Sequence, residues 1–151
     1  MSSSFSFQIA TIPKRTIAFV IDDIVVSIFF VVIFYDQMVM LMSGISTLDQ
    51  STAEAMNVFV QQNILVFFVI KILYHTVLVW QSGMTLGKYA VKIKVIDYQT
   101  EQIPSFAKAF LRALLRAPSE LFFYIGFMFA FFTPLRQTFH DKFSNCVVID
   151  A

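Results

Sequence analysis

Charge is scarce in this sequence. Only 14% of its 151 residues are Asp, Glu, Lys or Arg, against roughly 25% in an ordinary soluble domain. The 11 Lys and Arg nearly balance the 10 Asp and Glu, for a formal charge of +1. The basic residues are dispersed, so there is no concentrated basic surface for a phosphate backbone, and nucleic acid is excluded as a partner on electrostatic grounds. The single cysteine, Cys146, has no internal disulfide partner, which removes a stapled secreted fold from consideration. What fills the space left by charge is apolar: 58% of the chain is hydrophobic and 19 residues are Phe. That composition describes one small membrane-embedded domain over residues 1–151.

Two long apolar runs, Thr16–Tyr35 and Val58–Trp80, each approach the ~20 residues that a helix needs to cross a hydrocarbon core. The first is longer than the hydrophobic stretch of a secretory signal, contains two carboxylates and lacks a small-residue cleavage pattern, so it is expected to be a retained span. Residues 1–12 read as a short mobile or interfacial tail. The segment Asp36–Asn57 between the runs carries Asp36, Asp49 and Glu54 without Lys or Arg, and reads as a connection with loop chemistry around Gly44. Trp80 suits a membrane boundary. Beyond a turn-rich junction, Val91–Asp97 alternates apolar and charged residues at period two, which predicts a half-exposed strand, and residues 145–150 form a second strand candidate.

Between the strands, Phe106–Arg116 places Lys108, Arg112 and Arg116 at i, i+4 and i+8, predicting an amphipathic helix whose basic stripe faces lipid headgroups. Pro118 is expected to interrupt it, and a short apolar helix over residues 118–133 follows. Lys14 and Arg15 before the first run, and Lys88, Lys92 and Lys94 after the second, place the N-terminus and the strand region on the cytoplasmic side. Arg136 and Lys142 argue the same for the C-terminus. Two paired strands must share one side of the membrane, so the third apolar segment is expected to be re-entrant, with a full span as the alternative. The expected fold is an all-α membrane protein: two transmembrane helices, an interfacial amphipathic helix, a short third helix that re-enters or spans, and a small cytoplasmic two-stranded β element.

Four ionisable groups lie within the apolar runs. Asp22 and Asp23 are in the first, Lys71 and His75 in the second, and an Asp or Lys at mid-bilayer costs about +2.5 to +3.5 kcal/mol on the insertion scale. Their matching depths on antiparallel helices suggest that one aspartate pairs with Lys71. Such a pair can simply fix helix register. Alternatively, a carboxylate left over can exchange a proton with a cation, with His75 as a relay. Gly83 and Gly87-Lys88 only superficially resemble a phosphate-binding loop, being one residue short and followed by Tyr89 where Ser or Thr would hold magnesium. No metal-ligand spacing, orienting group or oxyanion site appears, so no metal, cofactor or enzymatic activity is expected.

Arg15-Thr-Ile-Ala-Phe-Val-Ile-Asp22 resembles the opening motif of the RDD family of small bacterial membrane proteins. Thr85-Leu86-Gly87-Lys88 running into Val91–Asp97, Ala109-Phe-Leu-Arg112, and Arg136-Gln-Thr-Phe-His140-Asp141-Lys142 before an apolar strand resemble it in order and spacing. The resemblance implies that Arg15, Asp22 and Asp141 are the name-giving residues, with Arg136 and His140 beside them in a cytoplasmic motif. It also implies a multi-pass protein of the bacterial cytoplasmic (inner) membrane, in a family associated with cation/proton exchange. Two functional expectations follow: a cation/proton transporter or transporter subunit, or a non-transporting scaffold or assembly factor. The partners expected are lipids, further copies of the chain and an unidentified membrane protein.

Overall fold

The computed structural model describes residues 7–44, 50–121 and 130–151. Helix α1 (Ile12–Ile33) begins four residues before the expected Thr16, because Pro13 sits in its first turn, where a missing N–H has no partner to lose. At Phe34 the backbone leaves helical geometry for one residue, and the chain resumes as α2 (Tyr35–Ser43). Hydrogen bonding continues across the break, from Phe34 N–H to the Phe30 carbonyl and from Met38 N–H to the Phe34 carbonyl. The expected Asp36–Asn57 connection is therefore largely helical: α2 occupies its start, and α3 (Gln50–Ser82) begins eight residues before Val58. The 22 residues of α1 and 33 of α3 correspond to about 33 and 50 Å at 1.5 Å per residue. Both are long and apolar enough to cross a membrane.

These helices bury little of themselves. Along α1 only Ala18, Asp22 and Val26 are buried, a stripe at i, i+4 and i+8, while Ile17, Ile24, Ile28 and Val32 are exposed. Along α3 the buried residues are Lys71, His75, Thr76 and Val79, all near its C-terminal end. The packed core thus sits at one end of the molecule. There Gly83, with φ of 71°, turns the chain out of α3 towards α4 (Leu86–Ala90). Only a residue without Cβ enters that region at low cost.

Strand β1 (Ile93–Asp97) pairs antiparallel with β2 (Cys146–Asp150), with Val95 opposite Val148. β1 starts two residues after Val91 because Lys92 adopts φ of 55°. The strand is not half-exposed as its alternation predicts. One face, with Ile93, Val95 and Val148, packs into a core with Ala10, Ala18, Val79 and Ala109. The other, with Ile96, Val147 and Ile149, is covered by Phe7 and Leu135. Two strands alone are marginal in water. Here residues 8–10 extend the ladder, Ala10 N–H donating to the Val148 carbonyl and Asp150 N–H to the Gln8 carbonyl. That part of the expected N-terminal tail is accordingly a sheet edge, while residues 1–6 lie outside the described residues.

Helix α5 (Phe106–Leu121) runs through Pro118 instead of stopping there. The ring removes the donor that would bond the carbonyl four residues earlier, so α5 passes Pro118 with one intrahelical hydrogen bond fewer. Residues 130–132 are helical, and α6 (Phe139–Phe143) leads into β2. Residues 122–129 of the expected third apolar helix lie outside the described residues, and the choice between spanning and re-entrant goes with them.

The tightest packing is where α4 meets α1. A Cβ at Gly87 would overlap the Ala18 carbonyl and press on the Asp22 carboxylate. Gly87→Ala is therefore expected to destabilise the fold by about 1–3 kcal/mol, the usual range for overpacking. Thermal unfolding of the purified variant checks this, and an unchanged midpoint would refute the packing argument.

Candidate functional site

Asp22 and Asp23 are adjacent on α1 and point about 100° apart, so the helix presents them to different partners. Asp22 is fully buried. It accepts hydrogen bonds from the Thr85 hydroxyl at 2.6 Å, the Gly87 N–H at 2.8 Å and the Tyr74 hydroxyl at 2.8 Å, with the Lys88 ammonium at 3.6 Å. A carboxylate offers about four acceptor sites, so this one is close to saturated. Tyr74 also accepts from the Leu86 N–H at 3.1 Å, which ties α3 to the same junction. Burial lowers the Lys88 ammonium to about 7, with Asp22 working against that shift and the Arg112 and Arg116 guanidinium groups adding to it.

Asp23 faces α3 and forms an ion pair of 2.6 Å with Lys71, whose ammonium also lies over the Phe19 and Phe67 rings. Of the four groups expected to cluster, the structure therefore separates the two carboxylates. Asp23 meets Lys71, and Asp22 meets the α3–α4 junction. His75 is buried edge-on against the Tyr74 ring. Its electrostatic neighbours Arg116, Lys88, Arg112 and Lys71 are all cations. Neither aspartate contacts it among the described hydrogen bonds and ion pairs.

A second carboxylate hub lies one layer nearer the sheet. Asp141, on α6 and fully buried, accepts from Arg15 at 3.0 Å and from Arg112 Nε at 2.7 Å, and the Arg112 Nη2 stands 2.7 Å from the same oxygen. The Thr138 N–H donates to it at 3.3 Å, so the carboxylate also caps its own helix. Arg15 donates in addition to the Val148 carbonyl at 3.2 Å, which joins α1 to β2. Burial alone would raise the Asp141 carboxyl; Arg112, His140, Arg15 and the Thr138 hydrogen bond outweigh it and hold the group far below the usual carboxylate range. His140 is pushed well below its ordinary value by burial, reinforced by Arg112, Arg116 and Lys88 against the pull of Asp141. Arg136 is exposed, with a backbone φ of 48°, and stands outside the hub's hydrogen bonds.

This geometry corrects the reading of the basic stripe. Lys108, Arg112 and Arg116 do share one face of α5, but that face is turned inward. Arg112 and Arg116 are buried, Arg112 on Asp141 and Arg116 over the Phe19 ring at 4.9 Å, while Lys108 pairs with Asp97 of β1. The face of α5 that remains exposed is apolar, with Phe106, Phe110, Leu111 and Leu114. A polar stripe seeks charge complements as readily as water, and two carboxylates, Asp97 and Asp141, lie opposite this one. Tyr74 is the functional-site neighbour that sequence reasoning missed. Its signal was its place three residues after Lys71 and one before His75, on the buried face of α3.

The arrangement defines a class: a small helical protein with two helices long and apolar enough to cross a membrane, closed at one end by a two-stranded sheet and buried carboxylate hubs. Residues 9–145 match the model of the RDD family, and the chain belongs to that family. No curated protein and no solved structure matches it.

The Asp141 hub makes a pH prediction. Its folded-state pKa is depressed, so its stabilisation is fully present above the unfolded carboxylate value of about 3.9 and is lost as pH falls below that towards the folded value. Asp141→Asn is expected to cost about 3–5 kcal/mol at neutral pH, because it leaves two guanidinium groups sharing no anion. It should also flatten the stability profile below about pH 4. Thermal melts between pH 3 and 7 measure both effects, and a variant with an acid limb as steep as the wild type would contradict the assignment.

Proposed function

We propose that this RDD-family chain is a multi-pass protein of the bacterial cytoplasmic membrane, serving as a scaffold or assembly factor whose buried charges fix the register of its helices. One observation carries this reading: each of three carboxylates, two of them fully buried, joins separate elements. Asp22 ties α1 to the α3–α4 junction, Asp23 ties α1 to α3, and Asp141 ties α1 to α5 and α6. Breaking a buried pair by removing one partner costs several kcal/mol, which gives such pairs leverage over register. Membrane embedding is supported by the exposed apolar surfaces of α1 and α3, which water would leave unmatched. Trp80 and Phe106, packed edge-on with ring centroids 5.5 Å apart at the end of α3, suit the headgroup level. Lys14, Arg15, Lys88, Lys92 and Lys94 lie at the sheet end, which the positive-inside rule assigns to the cytoplasm. The pairing of β1 with β2 favours an even number of crossings between them.

A cation/proton transporter is the second reading, favoured by one observation. Asp23 keeps 31% of its side chain exposed, beside a groove of about 470 Å³ along α1 lined by Phe19, Val20, Ile24, Ser27 and Ile28. Among the described residues that groove is apolar and lined by α1 alone, so a pathway along it needs a further wall from the rest of the chain, a second copy or another membrane protein.

Two measurements separate the readings. Proteoliposomes of the purified chain, challenged with sodium, potassium or lithium gradients, are expected to show no more proton flux than empty vesicles. Flux that is abolished by Asp22→Asn with Asp23→Asn would establish transport and remove the scaffold reading. For the registry role, Lys71→Asp alone should lower folded yield, and the exchange Asp23→Lys with Lys71→Asp should restore it, as detergent size-exclusion profiles would report. No recovery in the exchange variant would count against it.

A further inference from the structure

The space between the two hubs has not been given an occupant by either reading. A cavity of about 30 Å³ opens there, lined by Arg15, Lys88, Arg112, Arg116, His140 and Asp141, with apolar surface from α1 and the sheet beside them. Among the described residues, four cationic side chains thus line the cavity with one carboxylate. Lys88 has Asp22 at 3.6 Å, but Arg15 and Arg112 divide Asp141 between them, leaving an excess positive charge before Arg116 is counted. The Arg15 side chain is nine-tenths buried, and its Nε–H has no acceptor among the described residues.

We propose that this cavity binds a small monovalent anion of halide size. Cations brought together in a low-dielectric interior repel one another and have lost their hydration, and an anion among them offsets both costs. Guanidinium groups supply planar, permanently charged donors for such a ligand. A water needs about 10–15 Å³ of such a cavity, so a space of about 30 Å³ is large enough for a monatomic anion. The position also suits a structural ion: it sits where α1, α4, α5 and α6 meet, so an occupant here would brace all four. Burial lowers Lys88 and His140, and the guanidinium groups of Arg112 and Arg116 add to that shift. The inference rests on the cavity and its charges and is independent of whether the chain transports or scaffolds.

The test uses the full chain purified in detergent, with thermal unfolding followed against sodium chloride or sodium bromide, and sodium gluconate as the control at equal ionic strength. A ligand that binds only the folded state raises the midpoint saturably with its concentration. The expected result is a saturable rise with either halide and none with gluconate. Two variants locate it. Arg116→Gln removes a cationic wall, and Val148→Ile adds a methylene at the wall without changing charge; each should raise the half-saturating halide concentration by about tenfold or more, a loss of at least about 1.4 kcal/mol. Should Arg116→Gln fail to fold, the Val148→Ile titration stands alone. Identical responses to halide and gluconate would mean that water alone occupies the cavity, and an undiminished halide response in Val148→Ile would put the ion elsewhere. Either outcome overturns the proposal.

Discussion

A carboxylate removed from water must be met by donors or it will not remain ionised at reasonable cost, and the described fold is organised around two that are fully buried. Asp22 gathers a hydroxyl from a long helix, a hydroxyl and a backbone N–H from a short one, and a nearby ammonium. Asp141 gathers two guanidinium groups from helices far apart in sequence and a backbone N–H from its own. The apolar contacts at the sheet end are modest, being mostly Ala, Val and Ile. Directional, charge-assisted hydrogen bonds therefore determine which elements meet and at what angle, while the hydrophobic core beneath them fills the remaining volume.

The α3–α4 junction shows how local chemistry is reused. Its Thr-Leu-Gly-Lys stretch superficially resembles a loop for binding phosphate, and it does hold an anion, but the anion is the chain's own. The Gly87 N–H, the Thr85 hydroxyl and the Lys88 ammonium surround the Asp22 carboxylate. Glycine is required because the backbone must approach α1 closely enough for its N–H to reach the carboxylate. A side chain there would push the two helices apart and open the hub.

Much of this architecture was readable from residue pattern. The two long helices follow from the length of the apolar runs, the sheet from period-two alternation, and the pairing of one aspartate with Lys71 from matching depth. What escaped the sequence has physical causes. The helices start earlier than the apolar runs because Pro13 and the polar Gln50–Asn57 stretch are compatible with both helix and connection. The aspartate that pairs with Lys71 could not be named, since that depends on α4, five residues with no periodicity long enough to read. The sequence locates the stripe on α5 but not its destination, because a helical repeat identifies a polar face without telling whether water or a carboxylate lies opposite.

The separation between Arg15 and Asp141 carries a consequence for biogenesis. The two partners are 126 residues apart in the chain. At a synthesis rate of about 5–20 residues per second, α1 emerges on the order of ten seconds before the acid that will hold it. During that interval the guanidinium group has water or another molecule as its only partner. The Asp141 hub is thus the last of the buried carboxylate contacts that the growing chain can close, and it acts as a latch between the first helix and the final one.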